Sequence, residues 1–275
     1  MQVKLGAHQS IVEGYDKALE RISNIKGGCL QIFSTSPRSW TFKKLSNSEI
    51  NNFILKKNNL KINPVYFHAS YLINLAGSKR VVELSQKFLI NELNIASKLT
   101  IKGSIVHLGS YKENPNFRYL IKNISYVLLK THVDTLFIIE NSGTKKIGHN
   151  LKEIGNIVKT INDKRLKICL DTCHLHAAGY DLSSQKKLNN FLEFFDDIIG
   201  LHKLELFHIN DSRDKFESSR DRHENILKGN VGKETFKAIL NNKITAKYPF
   251  IIETPGFDNK GPDKKNLDIL KSLLN

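Results

Sequence analysis

Cysteine is scarce in this chain: three among 275 residues, at Cys29, Cys169 and Cys173. That odd, small number fits a reducing compartment, and with no Cys-x-x-Cys pair a four-cysteine zinc knuckle is excluded. All three read as small buried residues. No run of about 18 apolar residues exists, so a membrane span is not expected. No basic-then-apolar leader precedes the strand-like start "MQVKLGAHQS", which makes an intracellular, cytoplasmic location the expectation. No Gly-x-Gly-x-x-Gly follows the first apolar run, which weakens a dinucleotide-binding reading. No Pro-rich, Gly-rich or low-complexity linker divides the chain, so residues 1–275 read as one domain. Acidic residues are in deficit: 27 Asp plus Glu against 42 Lys plus Arg, a net charge of +15. Such a surplus favours a polyanionic partner, although Lys and Asn are both abundant, as an AT-rich genome would also produce.

What is present is a regular alternation. Hydrophobic residues make up 40% and charged residues 25% of the chain, enough to fill a core and stay soluble. Eight short apolar runs recur: "VKLGAH" (3–8), "CLQIFS" (29–34), "NPVYFH" (63–68), "SIVHLG" (104–109), "TLFIIEN" (135–141), "LKICLD" (166–171), "LELFHIN" (204–210) and "YPFIIET" (248–254). Between them lie segments with apolar residues at helical spacing. "SNSEINNFILKK" opens on Ser-x-x-Glu, a capping signal, and "SKRVVELSQKFLINELNIASKL" is long and strongly periodic. Eight strand–helix units in this length predict a single-domain (β/α)8 TIM barrel, with a doubly wound open sheet as the alternative.

In such barrels chemistry gathers at the C-terminal ends of the strands. In "LDTCHLHAAGYDL" (170–182) an acid stands three residues before a histidine, at the end of an apolar run. Alone, that pair is more often an ordinary strand end than a metal site. Other strands end the same way. The third ends in His68, the fourth carries His107, the fifth Glu140, the sixth Asp171 with His174 just after, the seventh His208 and the eighth Glu253. The loop after the seventh strand adds Asp221 and His223 in "DRH". Four carboxylates desolvated together would cost several kcal/mol each unless cations balanced them. Imidazole and carboxylate ligands suit zinc, with manganese or iron as substitutes. Nine ligands exceed one tetrahedral ion and could hold three. Clustered ions of this kind act mostly on phosphate esters, which together with the positive charge points to a nucleic-acid phosphodiester.

The strings "HASYLINL", "IENS", "LDTCHLHAAGYDL", "FHINDS" with "SRDRHENILKGNVG", and "IIETP" resemble the successive signatures of endonuclease IV, the type 2 apurinic/apyrimidinic endonucleases of base-excision repair. The resemblance spans nearly the whole chain. It implies a (β/α)8 barrel with three zinc ions, manganese being a possible substitute. His68 and His107 would hold the first, and Glu140 would bridge to the second. Asp171, His208 and Glu253 would complete the second, and His174, Asp221 and His223 would hold the third. Glu253, Glu140 and Asp171 would then be catalytic. The implied partner is duplex DNA with abasic or 3′-blocked damage, cut 5′ to the abasic site to leave a 3′-hydroxyl and a 5′-deoxyribose phosphate. Arg38, Trp40 and Tyr71 match positions that fill the gap left by a flipped-out nucleotide. One departure is Ser36-Pro37, where the family often has longer polar side chains; Pro37 stiffens that loop.

Two competitors share the fold or the charge. A sugar isomerase or epimerase would use one or two ions and leave His174, Asp221 and His223 without a role. A nucleic-acid-binding protein without catalysis would be expected to lose ligand positions, and none of the nine is lost. His132, His149 and His202 read as surface or structural residues, His176 as a loop residue, His8 as a rim residue without a ligand role, and Gly179 and Gly232 as turn formers. Cys169, two residues before Asp171, should share its inward face. A monomer is expected, since a duplex needs the barrel rim free.

Overall fold

A computed structural model describes residues 3–42, 44–111 and 115–275. Eight parallel strands close into a barrel: β1 (Lys4–His8), β2 (Cys29–Phe33), β3 (Val65–His68), β4 (Gly103–Val106), β5 (Leu136–Glu140), β6 (Leu166–Asp171), β7 (Leu204–His208) and, last in sequence, β10 (Pro249–Ile252). β10 closes the ring between β1 and β7. All eight predicted runs are strands, and the (β/α)8 architecture is the observed one. Between β7 and β10 stands a two-stranded antiparallel ribbon, β8 (Asp211–Ser212) and β9 (His223–Glu224).

The helices are α1 (Tyr15–Asn24), α2 (Asn47–Asn59), α3 (Lys79–Lys98), α4 (Phe117–Leu129), α5 (Leu151–Ile161), α6 (Thr172–Ala177), α7 (Gln185–Ile198), α8 (Lys233–Asn241) and α9 (Lys264–Ser272). The Ser-x-x-Glu signal is a complete capping box: Ser46 accepts from the Glu49 amide, and Glu49 reaches back to the Ser46 amide at 2.8 Å. α1 was not singled out in the sequence, although Ala18, Leu19 and Ile22 give it a buried face. None of the described helices is long and apolar enough to cross a membrane.

Two cores result. The larger lies between strands and helices. The smaller fills the barrel, with one side chain from each of seven strands: Cys29, Tyr66, Ile105, Ile138, Cys169, Leu206 and Ile251. The eighth strand contributes Gly6, paired with Cys29, where a Cβ would sit 1.9 Å from the Cys29 carbonyl oxygen. Cys169 is therefore inside the barrel, as its spacing from Asp171 predicted. Side chains alternate along a strand, so the next inward position on every strand is two residues on. Those eight residues are His8, Gln31, His68, His107, Glu140, Asp171, His208 and Glu253. The polar layer is one step above the apolar one, at the C-terminal mouth.

Candidate metal centre

Glu140 is the hub of the mouth. Its side chain is wholly buried at the end of β5. Its Oε2 lies 3.2 Å from both His68 Nε2 and His107 Nε2. Its Oε1 lies 3.0 Å from His208 Nδ1 and 3.3 Å from His174 Nδ1. Glu253 Oε2 is 3.3 Å from the same His208 nitrogen. On the other side, Asp221 Oδ1 is 3.0 Å from His174 Nε2 and 3.5 Å from His223 Nε2, and Asp171 Oδ2 is 3.6 Å from His223 Nε2.

Asp171 caps α6, accepting the His174 amide at Oδ1 (3.0 Å) and the Asn210 amide at Oδ2 (2.7 Å). α6 overturns one expectation. The sequence places His176 in a loop, but it lies on this short helix, whose start Asp171 stabilises. Its Nε2 lies 3.2 Å from the Asp214 carbonyl oxygen, against the loop that follows β8. The loop between β8 and β9 brings Asp221, and the start of β9 brings His223, to the edge of the mouth cavity. Asp211 anchors the ribbon by accepting the Gly229 and Val231 amides, each at 3.0 Å. Gly229 passes so close to β8 that a Cβ would lie 2.2 Å from the Ser212 carbonyl oxygen, and Gly232 needs φ +89°. Gly179 also takes positive φ, +87°, in keeping with its expected turn role. His132 and His202 are exposed, and His149 points Nδ1 at the Ser142 carbonyl.

The residues fit a cluster of cations on three grounds. The first is orientation. His68, His174 and His223 each place Nδ1 against a main-chain carbonyl, of Ala69 (2.8 Å), Asn141 (2.9 Å) and Glu253 (3.3 Å). A carbonyl accepts only, so Nδ1 carries the proton and Nε2 presents its lone pair. The second is an unmet need: His174 Nε2 and His223 Nε2 are buried without a hydrogen-bond partner. His174 Nε2 lies close to Asp221 but lacks hydrogen-bond geometry, a combination a shared cation resolves. The third is spacing. Two ligands about 2.0–2.1 Å from a tetrahedral zinc are about 3.3 Å apart, and the distances above run from 3.0 to 3.6 Å. Five donor groups among the described residues have their ligand atoms within 4.8 Å of one another, including His68, His107 and Glu140; Glu140, Asp171, His208 and Glu253; Glu140, Cys169 and His208; and Asp171, His174 and His223. Asp221 also groups with His223 and Cys173.

Electrostatics point the same way. Burial pushes the Glu140 carboxyl up, but His107 and His208 overcome this and hold it well below the usual carboxylate range. Burial likewise raises Glu253, and His208 pulls it down to about 2 despite repulsion from Glu140. Burial opposes charge on His174, yet Asp171 and Asp221 raise its pKa well above the ordinary imidazole value. His208 rises too, against burial, through the charges of Glu253 and Glu140; Cys169 beside it is a neutral thiol, pushed up to about 12 by burial. Without cations, protons on the imidazoles balance the carboxylates.

An open cavity of about 370 Å³ lies over this centre, lined among others by His107, His174, Asp221, His223, Glu253 and Tyr71. His8 lines it as well and belongs to none of the candidate donor groups. Tyr71 is 64% exposed and stands edge-on to Phe33, with ring centroids 5.4 Å apart. Its amide, and the Ser70 hydroxyl, bond the Pro37 carbonyl at 3.1 and 2.7 Å. The main-chain carbonyl of residue 37, which any residue would supply, thus ties its loop to the Tyr71 loop. Arg38 is exposed, and its charge acts on Tyr71. Trp40 stands apart from this pair: it is half-buried, packing edge-on against Phe88 of α3. Three polar supports were missed in the sequence. Gln31 links His208 to Glu253, Asn210 links Asp171 to the Glu253 amide, and Asn141 holds the Asp171 amide at 2.7 Å.

The comparisons accord with this site. The profile of the family described as xylose isomerase-like TIM barrel matches residues 19–273. A probable endonuclease 4 of a Sulfurihydrogenibium species is 33% identical over 279 residues, covering 99% of each chain. The chain belongs to the endonuclease IV family. The crystal structure of endonuclease IV from Thermus thermophilus superposes with a TM-score of 0.87 at 29% identity, covering 98% of both chains. An apurinic-apyrimidinic endonuclease 1 of Plasmodium falciparum is 35% identical over 266 residues, 94% of this chain and 45% of that longer protein. Membership in the endonuclease IV family makes the chain a metal-dependent hydrolase of DNA and its centre a site for divalent metal.

Proposed function

We propose that this protein is a base-excision-repair endonuclease of one metallo-endonuclease domain, cutting duplex DNA on the 5′ side of an abasic site. The products are a 3′-hydroxyl and a 5′-deoxyribose phosphate. The observation that carries this reading is the convergence of nine histidine and carboxylate side chains at one barrel mouth, six of them lining its cavity and two with buried, unpartnered ring nitrogens.

His68, His107 and Glu140 would hold one zinc ion; Glu140, Asp171, His208 and Glu253 a second; and His174, Asp221 and His223 a third. Bound there, zinc ions would lower the pKa of water and offset charge on the phosphate and its leaving oxygen. The chain's own residues do the rest. Glu140 and Glu253 stay ionised and position the ligand nitrogens around them. The backbone carbonyls behind His68, His174 and His223 keep those rings in one tautomer. Tyr71 offers an exposed ring beside the cavity on which a base or sugar face can rest, and Arg38 beside it supplies a guanidinium for a phosphate. Trp40 anchors the Arg38 loop by packing against Phe88. The net charge of +15 draws in the polyanion. The enzyme acts as a monomer, which leaves the mouth open to a duplex.

The test is incubation of the purified protein with a duplex bearing one abasic analogue, with product ends resolved, before and after chelation and zinc restoration. Incision on the 5′ side that vanishes with the metal and returns with zinc is expected. A folded, zinc-loaded protein that makes no incision would refute the reading.

A further inference from the structure

Of the eight side chains in the polar layer, seven are histidine or carboxylate. The eighth is Gln31, which is wholly buried. Its Oε1 lies 2.7 Å from His208 Nε2. Its Nε2 lies 2.5 Å from Glu253 Oε1 and 2.9 Å from His8 Nδ1. Glu253 decides which way the amide faces, because reversing it would set oxygen against carboxylate oxygen with no proton between them. With the amide nitrogen on Glu253, the amide oxygen must accept from His208. His208 Nε2 then carries a proton in every state, and Nδ1 is the nitrogen left to give up its proton and offer a lone pair to a cation.

That outcome is the reverse of the tautomer set at His68, His174 and His223, where carbonyls claim Nδ1 and free Nε2. His208 turns Nδ1 toward Glu140 at 3.0 Å and Glu253 at 3.3 Å. Only a neutral amide serves both neighbours of Gln31. A carboxylate would accept from His208 but repel Glu253, and an aliphatic side chain would contact neither through hydrogen bonds.

We propose that Gln31 is a positioning residue of the metal centre, locking His208 with its Nδ1 toward the cation and steering Glu253 onto the same cation. The proposal rests on the metal-dependent reading of the site and adds a residue to it. It also gives His8 a place: its Nδ1 accepts the second Gln31 proton, which holds the amide plane from the other side.

The experiment compares the wild-type chain with Gln31→Glu and Gln31→Leu. Each protein is stripped of metal, checked for fold by circular dichroism, and titrated with zinc against a chromophoric chelator. Both variants should bind one equivalent of zinc about 10–100-fold more weakly, the usual cost of removing a partner behind a metal ligand. Zinc held by His174, Asp221 and His223 should keep its affinity. Imidazole nitrogen resonances supply a readout that looseness alone would not move. In the zinc-loaded wild type one ring should bind through Nδ1 with a slowly exchanging proton on Nε2, and in Gln31→Leu that proton, with no acceptor to hold it, should exchange measurably faster with solvent. Wild-type zinc affinity in both variants, or an unchanged exchange rate of that proton, would overturn the proposal. Should Gln31→Leu fail to fold, the isosteric Gln31→Glu decides by its zinc affinity. Wild-type protein that binds zinc in a Gln31-dependent way but does not incise would instead count against the nuclease reading alone.

Discussion

Replacing Glu92 with Gln should change how stability depends on pH, far from any metal ligand in sequence. Glu92 lies on α3, 1% exposed, against the outside of the barrel wall. The hydroxyls of Ser34 and Ser104 both donate to its carboxylate, the latter at 2.5 Å. Burial pushes this carboxyl up, while the two serines and the charge of His68 pull it back, leaving a pKa of about 7 against the usual 4.5. A carboxyl whose folded pKa is raised stabilises the fold fully below its unfolded pKa. That contribution is lost as pH rises through the folded value. Between pH 5 and 8 this shift amounts to about 2.5 kcal/mol of lost stability. Unfolding entropy scales with length, and for 275 residues that loss corresponds to roughly 4 °C in Tm. Glu92→Gln removes the titration and keeps the shape. Thermal melts of both proteins across this range should therefore show the variant gaining on the wild type by about that amount from pH 5 to 8. A difference in Tm that stays flat with pH would refute the reasoning, whatever its size.

Three further outcomes are expected. Glu253→Gln should fold with a wild-type circular dichroism spectrum but incise abasic duplex about 10²–10⁴-fold more slowly, as loss of a positioned catalytic carboxylate does; near-wild-type turnover would remove Glu253 from the catalytic set. Tyr71→Ala should weaken binding to abasic duplex by about 1–3 kcal/mol, the worth of one stacked base, with zinc content unchanged; unaltered affinity in a mobility-shift titration would end its DNA role. Because His174 and His208 hold protons when no cation is present, zinc must displace them. Apparent zinc affinity should then fall by up to about tenfold per pH unit for each proton as the solution is acidified toward pH 6. Retention of zinc against a chelator that is equal at pH 8 and pH 6 would contradict this.

How much of this was legible in the sequence follows from periodicity. Strand alternation places Cys169 in the barrel interior and Asp171 in the mouth, and the same two-residue step yields His68 from Tyr66 and Glu140 from Ile138. That step, applied to Cys29, would also have found Gln31. An amide is not a ligand type, so nothing in the sequence marks that position as part of the centre. Asp221 and His223 carry no periodic signal, since they sit on an irregular excursion from the barrel, and only the long string around them marked them. α1 was legible as well: Tyr15, Ala18, Leu19 and Ile22 stand at helical spacing, and the pairs Lys17 with Glu20 and Arg21 with Glu13 lie off that face.

One determinant of the centre cannot be read from any single strand. The β6–β7 pairing runs Ile168 with Leu204, then Cys169 with Leu206, so that Glu205 is passed over. This irregularity is what sets Asp171 opposite His208. In an unbroken register Asp171 would face Phe207, and the inward faces of the two strands would fall out of step. Glu205 is not wasted on the bulge. It accepts the hydroxyl of Tyr66 at 2.9 Å, from across the barrel interior. Tyr66 fills the apolar layer directly beneath the ligands, so the residue that corrects the register also satisfies a polar group that would otherwise be buried alone. The ligand set is thus legible strand by strand, but its assembly into one centre depends on a register that only the folded barrel defines.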